Sequence, residues 1–269
     1  MSEIRRWSLI AAAVLLALLT AAPILLMVVG AFSRPDEIFD AGLLPSEPTL
    51  DNFRYIFSTV PFGRYLLNSF VLAASVTVVS MAFHSMSAFA LARLEFPGRD
   101  RIFFAFFSTI LVSMPMIIVP LFMVVRELGL LNTVPGVAAP MIFQGFALFL
   151  LRQFYLTLPT ELEEAARLDG CGAFRTFLRI ALPLSRPIMA ALAIFVFLGA
   201  WNAFLWPLTT TSDESRWVVQ VGISALQGEH AGSWNYILAG ATIATLPTVG
   251  LFLVFQRQII DSIKTSGLK

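Results

Sequence analysis

Long apolar stretches alternate with short polar segments along the 269 residues. Arg6–Arg34, Arg64–Arg93, Arg101–Arg126, Glu127–Arg152, Arg186–Asp213 and Glu229–Arg257 each bracket a run without Asp, Glu, Lys or Arg, and the shortest run has 24 residues. A helix rises about 1.5 Å per residue, so about 20 apolar residues cross a hydrocarbon core of ~30 Å. Backbone amides in lipid must find partners within the segment, which selects helices. The short alternating strands of a membrane barrel are absent from the pattern. The runs predict an all-α membrane protein with six transmembrane helices at roughly 8–32, 65–92, 102–125, 136–156, 188–211 and 235–258. Together they form one transmembrane domain over 1–269.

The first run follows Arg5 and Arg6, as a signal peptide would. It is too long for a signal core and no Ala-x-Ala site follows it, so it is read as a retained helix. Pro115 and Pro120 are expected to kink the third helix. Met114 and Met116 beside Pro115 are expected to fill gaps at that kink. Pro97-Gly98 marks a tight turn between the second and third helices. The segments 33–64 and 213–234 are read as loops.

Composition agrees with a bilayer. The chain is 58% hydrophobic and 13% charged, against about 25% charged in a soluble domain. With the N-terminus inside, the inner segments hold 13 of the 18 Lys and Arg and the outer segments hold 5. That excess places both termini, and the polar loop 157–187, in the cytoplasm of a multi-pass cell-membrane protein. A net charge of +1 implies no nucleic-acid partner. The single Cys171 excludes an internal disulfide and a multi-cysteine metal site.

The loop 157–187 is the most structured polar segment. Thr160-Glu-Leu-Glu163 has capping-box spacing. Glu161, Glu163 and Glu164 suit the positive end of a helix dipole. Glu163 and Arg167 stand in the favourable order for an i,i+4 pair. Gly170 ends this short helix, and Ala165 and Ala166 are expected to be exposed to a partner. Phe174, Phe177, Leu178 and Ala181 form one apolar face of a second short helix, stopped by Pro183 and Pro187. On pattern alone the loop is either an amphipathic connector on headgroups or a lever held by another protein.

The spacing Glu164-Ala-Ala-x3-Gly170-x9-Ile180-x-Leu182-Pro183 resembles the EAA loop of ABC importer permeases. Asn68-Ser69, Ala88-Phe-Ala-Leu-Ala-Arg-x-x-Phe-Pro-Gly-Arg99, Trp201-Asn-x-Phe-Leu-Trp-Pro207 and Phe255-Gln-Arg257 are similar to words of its carbohydrate-uptake, maltose-importer-type subfamily. The likeness runs from about residue 35 onward. It implies the type I ABC importer permease fold and a coupling helix docked on a cytoplasmic ATP-hydrolysing subunit. The residues implied at that contact are Glu163, Glu164, Ala165, Ala166, Arg167, Asp169, Gly170 and Phe174. The partners implied are a second homologous permease, two ATP-binding cassette subunits, an extracellular solute-binding protein and membrane lipid. The C-terminal tail from Gln256 resembles the family tail that reaches the ATPase dimer.

Candidate pathway residues are Trp201, Asn202, Gln144, Ser113 and Asn68. An indole plane beside an amide suits sugar ring faces and hydroxyls, whereas an interfacial tryptophan belt is the competing reading of Trp201 and Trp206. His84 lies within a span, which marks it for function. The alternative is a neutral imidazole bonded to a helix carbonyl. His230 is read as solvated. The apolar Val218–Leu226 segment either meets the binding protein or packs on its own helix ends.

The chain has no Gly-x4-Gly-Lys-Ser/Thr loop, so ATP and Mg are expected in partner subunits and no cofactor is expected here. A stand-alone ion-driven carrier would want paired carboxylates inside the spans, and there are none. No His-Glu-x-x-His or Gly-x-Ser-x-Gly motif supports an enzyme. The function expected is translocation of a sugar or sugar-like solute, with glycerol phosphate or a glycerophosphodiester as the alternative cargo.

Overall fold

A computed structural model describes the backbone of residues 3–38, 44–229 and 233–266, and the side chains of 6–38, 44–228 and 233–255. His230 and the tail side chains from Gln256 lie outside the described residues. Among the described residues the secondary structure is helical, with no strand.

In chain order the helices begin with α1 (Glu3–Ala31), α2 (Asp51–Ser58), α3 (Phe62–Arg93), α4 (Arg99–Ser108) and α5 (Met114–Glu127). They continue with α6 (Val134–Ile142), α7 (Gly145–Thr157), α8 (Glu161–Leu168), α9 (Ala173–Thr176), α10 (Leu182–Leu184) and α11 (Arg186–Trp201). The last are α12 (Leu205–Thr210), α13 (Val219–Glu229) and α14 (Trp234–Ser266). Three helices are long and apolar enough to cross a bilayer unbroken: Arg6–Ala31, Phe62–Arg93 and Trp234–Phe255. Three more spans arise if each bent pair counts as one. The bends are 106° between Arg99–Leu111 and Met114–Glu127, 45° between Val134–Ile142 and Gly145–Thr157, and 77° between Ala173–Leu184 and Arg186–Trp201.

Three expectations about the elements are corrected. Pro115 does not kink a continuous helix; it sits in the first turn of α5, where its missing N–H costs nothing, and the chain breaks before it at Val112–Ser113. The segment 33–64 is not all loop, because α2 buries Asn52 and Ile56 one turn apart. The segment 213–234 contains α13, whose Val219, Val221 and Leu226 are buried.

The contacts divide into two compact units. The first comprises residues 1–66 and 219–247. Here Asn52 is buried and donates through Nδ2 to Ala31 O and Ser33 O, both 2.9 Å, which caps carbonyls at the end of α1. Asn235 Nδ2 donates to Asn52 Oδ1 at 2.7 Å, and Tyr55 stacks on Tyr236 at 4.1 Å. A side chain at Gly222 would run into the Tyr65 ring, so α13 lies tight against the start of α3. The apolar Val218–Leu226 stretch is thus covered largely within the chain.

The second unit comprises residues 67–218 and 248–269. Its centre is α3. Ser69, Ala73, Val76, Ser80, His84, Ala88 and Ala92 recur every three or four residues and all are buried. From this stripe Ser80 bonds Ile142 O and His84 takes the Gln144 N–H, which ties α3 to the junction of α6 and α7.

Candidate functional site: the coupling segment and the helix breaks

The segment 157–187 holds the first set of predicted residues. Gly170 has φ +75°, the left-handed region a residue without Cβ enters freely. Cys171 N–H donates to Ala166 O at 2.9 Å and Gly170 N–H to Arg167 O at 3.0 Å, the paired bonds of a Schellman cap. The cap gives α8 a fixed C-terminal end. Its first turn carries Glu161, Glu163 and Glu164.

The capping box does not form. Thr160 is itself helical, with φ −68° and ψ −27°, and its side chain makes no cap bond, whereas a capping hydroxyl needs an extended residue. Glu163 does not pair with Arg167 either. Its carboxylate lies 3.0 Å from Nε of Arg93, at the end of α3, with both side chains largely buried. The Nε–H points off that line, so charge holds the contact more than a directed hydrogen bond. Arg93 also donates through Nη2 to Leu158 O, just past α7.

The faces of α8 are therefore distinct. Glu163 and Ala166 face the protein, and Ala166 is buried rather than exposed as its sequence suggested. Glu164, Ala165, Arg167, Leu168, Asp169 and Gly170 are exposed. Leu168 is 90% exposed, an apolar side chain without cover within the chain. In the following segment Phe177 and Ala181 are buried while Phe174 and Leu178 are exposed, so the four do not share one buried face. The chain widens into a π-turn over Phe177–Ala181, with Leu182 N–H reaching back to Phe177 O, and this rotates the later residues. Pro183 does not stop the helix; it opens α10, and the turn comes at Ser185. Phe177 packs on Phe89 at 5.4 Å, and Phe89 meets Tyr155 edge-on at 5.8 Å. Tyr155 hydroxyl lies 3.1 Å from Ser185 Oγ. Aromatic contacts thus fix the segment 173–187 to α3 and α7.

Arg152 was not singled out by sequence reasoning. Its Nε donates to Leu91 O at 3.1 Å, its Nη2 to Asp100 at 2.8 Å, and its guanidinium covers the Phe103 ring at 4.0 Å. Only its place at the end of an apolar run hinted at this. Arg93 was equally silent, since a basic residue in the last turn of a helix has an ordinary reading.

Three of the five pathway candidates fall at discontinuities in the helices. Ser113 precedes α5, Gln144 precedes α7, and Asn202 follows α11. Breaks free backbone amides and carbonyls that a continuous helix would use. The first two breaks are neighbours. A Cβ on Gly145 would stand 3.0 Å from Ile110 and 3.2 Å from Thr109 Oγ1, and Phe106 meets Phe143 at 5.4 Å. Ser113 and Asn202 are exposed; Gln144 is half-buried, with its amide donating to Met141 O at 3.1 Å. Asn202 Nδ2 donates to Leu198 O at 2.9 Å.

Trp201 is 2% exposed and stacks on Phe197 at 6.0 Å, so its indole is part of the interior. Trp206 is buried too, and its Nε1 donates to Val137 O at 3.1 Å; it is no interfacial belt residue. Asn68 clamps a loop, donating to Ser215 O at 3.0 Å and Trp217 O at 2.9 Å.

His84 has both ring nitrogens engaged. Nδ1 lies 2.5 Å from Ser80 O, and Nε2 accepts the Gln144 backbone N–H at 3.0 Å. A carbonyl at Nδ1 requires the proton there, which leaves Nε2 as the acceptor. The imidazole is thus neutral and serves as an external cap for the α7 N-terminus.

Residues 84–265 match the family model described as binding-protein-dependent transport system inner membrane component. The chain is 34% identical to an arabinooligosaccharides transport system permease protein of Halalkalibacterium halodurans, covering 100% of this chain and 98% of that one. It is 34% identical to a diacetylchitobiose uptake system permease protein of Streptomyces coelicolor, covering 97% and 89%. It is 35% identical to an sn-glycerol-3-phosphate transport system permease protein of Yersinia pestis, covering 91% and 90%. Its fold is similar to that of a chain in the crystal structure of a bacterial ABC transporter involved in import of the acidic polysaccharide alginate. The TM-score there is 0.83 at 21% identity, covering 96% of this chain and 98% of that one. These matches place the chain in the family of binding-protein-dependent transport system inner membrane components, the permeases of ABC importers.

Proposed function

We propose that the chain is one half of the membrane pore of an importer that moves a sugar or sugar-like solute delivered by an extracellular binding protein. The pore is completed by a second, homologous permease and driven by two ATP-binding subunits on the cytoplasmic side, where both termini lie. Residues 1–269 act as one permease domain.

The observation that carries this reading is the outward face of α8. Glu164, Ala165 and Arg167 are exposed beside an uncovered Leu168, on a helix closed by a Schellman cap at Gly170. A short helix presenting charge, a small residue and a bare apolar side chain fits the cleft of a partner protein. Asp169 and Phe174 extend the same contact. Closure of the ATP-binding subunits moves α8, and α8 moves the spans. The differential contact with two states is what couples hydrolysis to translocation.

Cargo passes beside the polar groups at the helix breaks, Ser113, Gln144 and Asn202, while Trp201 and Asn68 hold the walls. Bidentate amides suit hydroxyl-rich solutes. Two relatives are named for oligosaccharide uptake and one for glycerol 3-phosphate, and the hydroxyls of a sugar are what neutral groups at these breaks would bind. The test is reconstitution of the whole complex in liposomes. ATP-dependent uptake of a labelled oligosaccharide, abolished by Gly170→Asp, is expected. Uptake driven by a proton gradient without ATP would overturn the reading.

A further inference from the structure

We infer that Arg93 is the strut that ties the coupling helix to the membrane core, so that Glu163 and Glu164, adjacent in sequence, do opposite jobs. This rests on the function proposed above and adds the element through which the motion of α8 travels.

An eight-residue helix does not hold its own shape in water and depends on tertiary anchors. The Schellman cap fixes the end of α8, and the buried Ala166 seats one side. The remaining anchor is ionic. Arg93 is the last residue of the 32-residue α3, the most buried of the long spans, and its side chain is 8% exposed. Its guanidinium touches the Glu163 carboxylate and the Leu158 carbonyl, and so joins α3, the exit of α7 and α8 at one point. A planar guanidinium with several donors can make such a three-way joint; a lysine carries the charge without the fork. Glu163 is turned inward and engaged, while Glu164, one residue on, is exposed. A displacement of α8 by a partner is therefore passed to the end of α3 through this joint. Arg93 is a positioning residue: it touches neither solute nor nucleotide.

The test uses the complete transporter in liposomes and reads solute taken up per ATP hydrolysed. Loss of folded protein lowers both quantities together and leaves that ratio unchanged; loss of the strut lowers the ratio. Arg93→Met and Glu163→Gln are each expected to reduce it about tenfold, within the range of typical coupling energies. Arg93→Met combined with Glu163→Gln should lose no more than the worse single variant, because both remove the same contact. Arg93→Lys should recover part of the ratio. Wild-type ratios in both single variants, or losses that multiply in the double, overturn the inference. If Arg93→Met does not assemble with its partners, Glu163→Gln and Arg93→Lys decide alone. Failure of the broader reading is separate, since wild-type vesicles would then show no ATP-dependent uptake.

Discussion

Serine placed at Gly170 and at Gly172 should have opposite consequences, although the two sites are two residues apart and both exposed. At neither site does an added Cβ meet an atom within 4 Å, so no clash distinguishes them. The difference is backbone conformation. Gly170 has φ +75°, where an L-residue pays about 1 kcal/mol. Gly172 has φ −76° and ψ 166° at the N-cap of α9, where serine is at least as favourable as glycine. About 1 kcal/mol is roughly a fivefold change in an equilibrium. Gly170→Ser should therefore open the α8 cap about fivefold more often, while Gly172→Ser should leave it unchanged or firmer. Hydrogen exchange at the Gly170 and Cys171 amides, whose acceptors are Arg167 O and Ala166 O, reads this directly. Uptake per ATP should fall only for Gly170→Ser. Equal exchange and equal uptake in the two variants would refute the argument that the left-handed turn, rather than smallness, demands glycine.

Other expectations follow from the same geometry. Asn52→Ala removes the donor to two carbonyls and the acceptor for Asn235; a loss of about 2–3 kcal/mol, seen as a lower melting temperature in detergent, is expected, and an unchanged one would mean water replaces the amide. Gly222→Ala forces a methyl into the Tyr65 ring and should cost about 1–3 kcal/mol in the same melt, partly relieved by Tyr65→Leu. His84→Phe keeps the ring but strips the Gln144 amide of its acceptor. About 1–3 kcal/mol of stability should go, with faster exchange at that amide, and a silent variant would remove the capping role. Trp201→Ala should lower stability by about 3–5 kcal/mol because it empties a buried site; a normal melt with weakened solute affinity would instead make the indole part of the pathway wall.

Much of this arrangement can be read from the residues alone, and the failures have physical causes. Charge-free runs mark membrane segments because lipid excludes unpaired charge, and Gly170 was legible because glycine enters the left-handed turn of a helix end most cheaply. Local rules failed where a distant partner outbid a near one. Arg93 lies 70 positions before Glu163, and no i,i+4 rule can see it taking the carboxylate from Arg167. Thr160 likewise offered a plausible cap that the observed backbone angle does not permit. The helix breaks were hidden because periodicity does not register an interruption of two or three residues inside a uniformly apolar run. Pro115 hinted at the first break and was assigned the wrong side of it. Trp206 was misplaced because a tryptophan near a predicted span end looks interfacial until a carbonyl, here Val137 O, is found waiting for its N–H. Ala166 shows the limit of a small residue as a signal, for it suits a partner's approach and a tight internal contact equally well.

On the reading proposed above, the interruptions at Ser113, Gln144 and Asn202 put main-chain groups, rather than charged side chains, beside the path of the cargo. Main-chain groups of this kind survive most replacements of the residue that bears them. On that reading, cargo preference would drift through neighbouring side chains while the main-chain lining stays put, so that one scaffold could be re-tuned from one polyol to another without being rebuilt.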